Sequence, residues 1–363
     1  MSNALILTDI HKGVRNDLAA AARQQAKFDS MIIDIIDDPA RQIDTLLIPG
    51  DVFDRRKYIN FVSLGNAAKS LFDPLAARVQ SGKLRVMISP GNHDLYYRNN
   101  LDYCSLQLLL SGYPFDIIMQ PKEFEIGKSN LLMLPWINVE NHDETLKIIS
   151  ESSAPYCLGH LELYGFEMHR GEFATGGMDP SIFRHFQWVG SGHYHHRSIK
   201  DNIHYLGATY QFTWSDYNDP RGATLLNPST GYYEFINNPF EMFHVIYYDD
   251  DKRPDEIQSL IESDLSKYTD CFVKIRIHNK KNTYLFERLI EKLQNVNPIK
   301  VSIIEETLDI SSIEIDGETT NLDDTPTLIS KYIDELKLTN KVDSLKELMF
   351  KLHNEAVSLE NIE

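Results

Sequence analysis

Pro90-Gly91-Asn92-His93-Asp94 closes an apolar run, Leu84-Arg85-Val86-Met87-Ile88, that reads as a buried strand. Glycine tolerates backbone angles that other residues resist, so Gly91 is expected to let the chain turn sharply at the strand end. The turn would set Asn92 and His93 side by side at the C-terminal edge of a sheet, where α/β proteins place their chemistry. Asn92 offers a neutral oxygen to a metal, and His93 can carry a proton near neutral pH.

The same grammar precedes this stretch twice. Ala4 to Thr8 is an apolar strand ending in Asp9-Ile10-His11, and Thr45 to Ile48 is another ending in Pro49-Gly50-Asp51. Helical stretches separate the three strands. The first runs from Asp17 to about Asp37 with Phe28, Ile32, Ile35 and Ile36 on one face; the second runs from Phe61 to about Val79. Strand, turn and helix repeated three times is the α/β pattern. Leu101 to Leu110 is expected to be a further helix. Two later strands, near Tyr156-Cys157-Leu158 and from Gln187 to Ser191, end at Gly159-His160 and Gly192-His193-Tyr194-His195.

Five strand ends thus carry Asp9 and His11, then Asp51, Asn92 and His93, His160, and His193 with His195. Of 13 histidines, five sit in these turns. Any one turn is explained as easily by an ordinary surface loop; all five in order are not explained by packing. Imidazole and carboxylate suit manganese, iron or zinc. Seven candidate ligands (Asp9, His11, Asp51, Asn92, His160, His193, His195) suit two cations sharing one carboxylate, with Asp51 as the bridge. Such a pair clamps the attacking and leaving oxygens of a phosphoryl displacement and activates a bridging water. His169, His185, His196, His204 and His353 are left to structural or surface roles.

The bulk numbers bound the rest. A chain of 363 residues accommodates about two domains. No apolar run approaches the ~20 residues of a membrane span, and the N-terminus enters a strand with no basic segment before it, so neither membrane nor signal peptide is expected. Three scattered cysteines fit reduced thiols and a cytoplasmic setting. The net charge of −17 argues against indiscriminate nucleic-acid binding. The charge is uneven, however. Residues 271–300 hold seven basic and two acidic side chains, whereas residues 301–363 hold 15 acidic and five basic. Lys274 and Arg276 alternate along a strand and, with Lys280 and Lys281, form a candidate phosphate-binding face. Arg55, Arg56 and Lys57 form another beside the Asp51 turn. Residues 305–324, with eight acids and no base, read as a solvated linker. Leu345, Leu348, Leu352 and Leu359 stripe a final helix that could dock on a partner.

The ordered set D-x-H, G-D, G-N-H-D, G-H and G-H-x-H resembles the calcineurin-like metallophosphoesterase superfamily, over residues 4 to about 237. The resemblance implies an α/β fold of four layers, a β-sandwich flanked by helices, with the later strands forming a second sheet. It implies one metal on Asp9, His11, Asp51 and His195, and another on Asp51, Asn92, His160 and His193. His93 would contact the scissile phosphate and protonate the leaving oxygen, and Asp94 would orient His93. Within the superfamily the chain resembles SbcD-type double-strand-break-repair nucleases, including those of tailed phages, through Gly50-Asp51-Val52-Phe53-Asp54, the Gly192–His195 turn and the appended segments.

That resemblance implies a nuclease domain over 1–238 and a small α+β capping, DNA-contacting domain over 239–306. An acidic linker over 307–326 and a helical segment over 327–363, binding an SMC-like ATPase of SbcC type, would follow. It further implies two divalent cations, usually manganese with magnesium as the substitute, a homodimer through the nuclease domain, and residence in the host cytoplasm if the protein is phage-encoded. Some branches carry His where this chain has Asp54, which bears on the balance of exonuclease and endonuclease activity. The alternative is a phosphatase or small-molecule phosphodiesterase on the same scaffold. It would not need the last ~125 residues. A non-catalytic scaffold should have lost ligands, and here all are present.

Overall fold

The alternation of apolar residues along the early strands decides the layering. The computed structural model describes residues 2–15, 18–169, 171–305, 346, 348 and 349. Strands β1 (Asn3–Ile6), β2 (Ile43–Pro49), β3 (Arg85–Ser89) and β4 (Asp116–Ile117) run parallel in one sheet. Strands β5 (Lys122–Ile126), β6 (Ser129–Met133), β7 (Tyr156–His160), β10 (Trp188–Gly192), β11 (Ser198–Lys200) and β12 (Ile203–Tyr205) form the second. A small hairpin, β8 (Glu167–His169) and β9 (Glu172–Phe173), lies between β7 and β10 in sequence. Strands β13 (Gly222–Asn227) and β14 (Tyr232–Asn237) return to the first sheet, whose order is β14-β13-β1-β2-β3-β4. The order in the second is β11-β12-β10-β7-β6-β5.

Successive side chains on a strand face opposite ways. Ala4, Ile6, Leu47 and Met87 therefore meet Leu131, Met133, Tyr156, Leu158 and Trp188 in a core between the sheets. Leu5, Leu7, Leu46, Ile48, Val86 and Ile88 face outward instead. Helix α1 (Ala19–Asp37) covers them with Phe28, Ile32 and Ile36, and the helical stretch of α2 (Phe61–Ala67), a widened turn at Ala68–Phe72 and α3 (Asp73–Gln80) adds Leu71, Phe72 and Leu75. Asn60 starts α2 by accepting the backbone N–H of Val62 and Ser63. On the second sheet Leu132, Leu134, Cys157 and Val189 pack under Ile149 of α5 (His142–Glu151). Each large apolar side chain so buried is worth about 1.5–3 kcal/mol. The expected helix at Leu101–Leu110 is shorter, α4 (Ser105–Leu109), because Leu95 pairs with Cys104 and Tyr96 N–H with the Tyr103 carbonyl, which holds the preceding residues extended.

The strand–helix–strand–helix–strand order expected after residue 240 is present. Parallel β15 (Phe243–Asp249), β16 (Phe272–Asn279) and β17 (Lys300–Glu305) carry α6 (Pro254–Glu262) and α7 (Thr283–Asn295). Ile246, Tyr248, Val273, Ile275 and Ile277 bury against Ile257, Ile261, Leu285, Phe286, Leu289 and Leu293 in a separate core. This layer rests on the larger one through Phe243, which packs on Trp214 and stacks on Phe272. Gln211 Oε1 accepts the N–H of Met242 and Phe243, and Arg23 pairs with Asp270.

By compactness the chain divides after Glu306. The expected acidic linker and most of the leucine stripe (Leu345, Leu352, Leu359) lie outside the described residues; Leu348 is helical and exposed. Cys104, Cys157 and Cys271 are buried free thiols. Among the described residues no helix is long and apolar enough to cross a membrane.

Candidate metal centre

The parallel strands of both sheets end at one place, and the seven candidate ligands are gathered there. Asp9, His11, Asp51, Asn92 and His160 are buried, and His193 and His195 partly so. Asp51 Oδ2 lies 3.2 Å from His160 Nε2 and 3.6 Å from His11 Nε2. On one side of it His11 Nε2 and His195 Nε2 are 3.2 Å apart, and His195 Nε2 is 3.8 Å from Asp9 Oδ1. On the other side Asn92 Oδ1 is 3.1 Å from His160 Nε2 and 3.0 Å from His193 Nδ1. The donors thus fall into two groups joined by Asp51, with Asp9 close to His160 as well.

Reaching this arrangement strains the backbone. Asp9, His11, Asp51 and His193 all take positive φ, at 50°, 36°, 52° and 89°. Such angles cost of order 1–3 kcal/mol each in non-glycine residues and persist where surrounding structure enforces them. The glycines divide the labour differently from expectation. Gly91 has φ −94°, open to any residue; its side chain is missing because a Cβ there would overlap the Asp51 carboxylate and backbone. Gly50 is the one in the left-handed region, at φ +91°, and a Cβ on it would also strike His160.

The ring of His93 is held by the Asp54 carbonyl, 2.5 Å from Nδ1. A carbonyl only accepts, so Nδ1 carries hydrogen and Nε2 is the atom left to work. The expected role of Asp94 in orienting that ring is not what its contacts describe. Its carboxylate turns inward and accepts the backbone N–H of Val52, Phe53 and Gly91. It ties the Asp51 turn to the Asn92 turn and reaches His93 only through the chain.

The electrostatics are those of crowded donors. Burial disfavours charge on Asp51, yet His160 and His11 hold its carboxyl well below the usual range. Burial alone would depress His160, but the Asp51 charge and hydrogen bond push it up to about 9. Burial and the His160 charge drive His193 down to about 3, and burial with His11 drives His195 well below its ordinary value. Burial foremost, then Asp51, pushes Asp94 up to about 7. Burial lowers His93, with Asp51 opposing. Carboxylates, neutral imidazoles and an amide oxygen converging in a buried space are a fitting donor set for divalent cations.

Several participants carry no motif. Asp54 Oδ1 lies 3.4 Å from His11 Nδ1, on the far side of the ring from the candidate metals. Phe212 packs edge-on against both His11 and His195 at 5.1 Å. Trp136 lies against His160 and His193. Arg221 donates to the His195 carbonyl and to Asp216. Lys12, next to His11, is buried with Asp29 and Tyr210. His196 pairs with Asp219 instead of facing the centre.

The candidate DNA contacts fall in two places. Arg56 is half-buried beside Asp51, whereas Arg55 and Lys57 are exposed. On β16, Val273, Ile275 and Ile277 face the core, and Lys274 and Arg276 the other way. Lys274 lies 3.9 Å above the Trp214 ring, Lys280 pairs with Glu305 and Lys281 with Asp251.

Residues 3–197 match the calcineurin-like phosphoesterase family. The chain belongs to that family, and its class is therefore that of phosphoester hydrolases. It is 28% identical over 315 residues to exonuclease subunit 1 of Enterobacteria phage T4, with 86% of each chain covered. Among solved structures it is similar to an archaeal phosphodiesterase at 14% identity and TM-score 0.33, over 65% of this chain and 99% of that one. It is also similar to a protein of unknown function from Aquifex aeolicus at 14% identity and TM-score 0.26, over 44% and 78%.

Proposed function

We propose that the protein is a two-metal DNA nuclease of the SbcD type, the hydrolytic subunit of a complex with an SMC-like ATPase that processes double-strand breaks. The observation that carries the reading is the position of Asp51 between two groups of metal donors. Asp9, His11, Asp51 and His195 would hold one cation, and Asp51, Asn92, His160 and His193 the other. Manganese is the expected ion, with magnesium as the substitute. When bound, the pair supplies charge neutralisation of the phosphodiester and a deprotonated water as nucleophile.

The protein's own residues do the rest. Asp54 fixes the His93 tautomer through its carbonyl, so Nε2 faces the substrate. The anionic phosphodiester favours the charged imidazole, opposing the burial that lowers it. Nε2 then gives its proton to the leaving oxygen. Arg56 and its neighbours Arg55 and Lys57 meet flanking phosphates. Lys274 and Arg276 present a second basic face, which Lys280 and Lys281 extend only where their acidic partners release them.

The similarity to an exonuclease subunit supports DNA as the substrate and a further subunit as partner. In this reading the ATPase docks on residues 327–363, the 239–306 layer caps the site, and the nuclease portions of two chains pair as a homodimer.

The test is cleavage of linear duplex and single-stranded DNA with manganese by wild type and His93→Ala. Wild type should cut. The variant should bind metal equally and lose about 10²–10⁴-fold in rate. Full activity in the variant would remove His93 from the chemistry, and wild type that hydrolyses bis-p-nitrophenyl phosphate but no DNA would contradict the nuclease reading.

A further inference from the structure

The two loops that carry Asp51 and His93 also carry exposed aromatic and cationic side chains next to one another. Arg55-Arg56-Lys57-Tyr58 follows one turn and Tyr96-Tyr97-Arg98 the other. Tyr58, Tyr96, Tyr97 and Tyr103 are 57%, 41%, 48% and 60% exposed, which is unusual for four neighbouring rings. They form a connected series. Arg55 lies over the Tyr58 ring and donates to its hydroxyl. Lys57 Nζ lies 5.5 Å above the Tyr96 ring and so joins the two loops. Tyr96 and Tyr97 pack edge to face at 4.7 Å, and Tyr97 and Tyr103 are 6.2 Å apart. The Tyr96 N–H bond to the Tyr103 carbonyl folds Tyr103 back beside Tyr96 and Tyr97. The series begins next to the chemistry, since the Asp54 carbonyl that holds His93 is one residue from Arg55.

We infer that this aromatic and cationic ledge binds unpaired nucleotides of a DNA strand leading to the scissile phosphate. The inference rests on the nuclease reading and narrows its substrate class to single-stranded or frayed ends. A duplex hides the faces of its bases and offers only phosphates and groove edges. Exposed rings gain from base faces, which only unpaired nucleotides present. The neighbouring cations follow the backbone. A second copy of the chain is a poorer occupant: Arg98 is paired with Glu162, but a face meeting its own twin would still set Arg55 and Lys57 against like charges.

The experiment measures binding of a labelled oligothymidylate and of an abasic oligonucleotide of equal length, in EDTA so that nothing is cut. Wild type should prefer the thymidylate by about tenfold or more. Tyr96→Ala/Tyr97→Ala should bind both alike, and Tyr96→Phe/Tyr97→Phe, which keeps the rings, should retain the preference. Thermal melting of each variant confirms folding. Equal binding of both oligonucleotides by wild type, or an unchanged preference in the alanine variant, overturns the inference. So does an alanine variant that loses only self-association. If wild type cuts DNA with manganese but shows no base preference, this inference alone falls. If it cuts no DNA, the nuclease reading falls and takes the ledge with it.

Discussion

Asp51 faces two imidazoles through one oxygen, while its other oxygen accepts the backbone N–H of His93. Its charge is what keeps His160 protonated in the metal-free protein, up to about 9. A raised imidazole stabilises the metal-free fold fully below its unfolded value of about 6.5, and that contribution is lost as pH rises through about 9. A cation taking the His160 nitrogen must displace that proton. Titrating the metal-free protein with manganese at pH 7 should therefore release protons, seen by calorimetry as a heat that changes with the ionisation enthalpy of the buffer. A buffer-independent heat would mean that His160 is already neutral. Asp54 makes a second residue-scale case. Its carboxylate faces the outer nitrogen of His11, the position from which a carboxylate sets a ligand's orientation and basicity. Asp54→Ala should weaken manganese binding about 10–100-fold with little change in melting temperature; unchanged affinity would make the contact incidental.

At the scale of elements, the centre depends on turns that the chain resists making. Gly50 sits at φ +91° under the His160 ring. Gly50→Ala combines left-handed strain with a clash, so it should cost at least ~2 kcal/mol in unfolding free energy. Both melting temperature and metal binding should fall. Retention of both would mean that the turn relaxes more easily than its packing implies. These turns were legible because each comes straight after an apolar strand, and strand order alone brings successive strand ends together. The β–α order after residue 240 was legible for the same local reason. What could not be read joins residues far apart in the chain. Phe212 reaches His11, and Arg221 reaches the His195 carbonyl, only because β13 returns to pair with β1. The contacts of Asp94 are not legible either, because the motif shows its neighbour His93 and not the backbone N–H groups of Val52 and Phe53 beneath it. The short strand β11 has two polar residues in three and gave no apolar signal.

At the scale of the whole molecule, two similar sheets press together and aim their parallel strand ends at one buried cluster. Asp9, Asp51 and Asn92 come from the first sheet, and His160 and His193 from the second. The sandwich core of Ala4, Ile6, Leu158 and Trp188 thus sets the separation of the donors as well as the stability of the fold. The net charge of −17 is unevenly spread along the sequence: residues 301–363 hold 15 acidic and five basic side chains, whereas residues 271–300 hold two acidic and seven basic. The most direct test is a crystal of the full chain grown with manganese and examined by anomalous scattering. Two peaks about 3.5–4 Å apart are expected, one on each side of Asp51, the first among Asp9, His11 and His195 and the second among Asn92, His160 and His193. A single peak, or two that do not share Asp51, would contradict a two-metal centre bridged by that carboxylate.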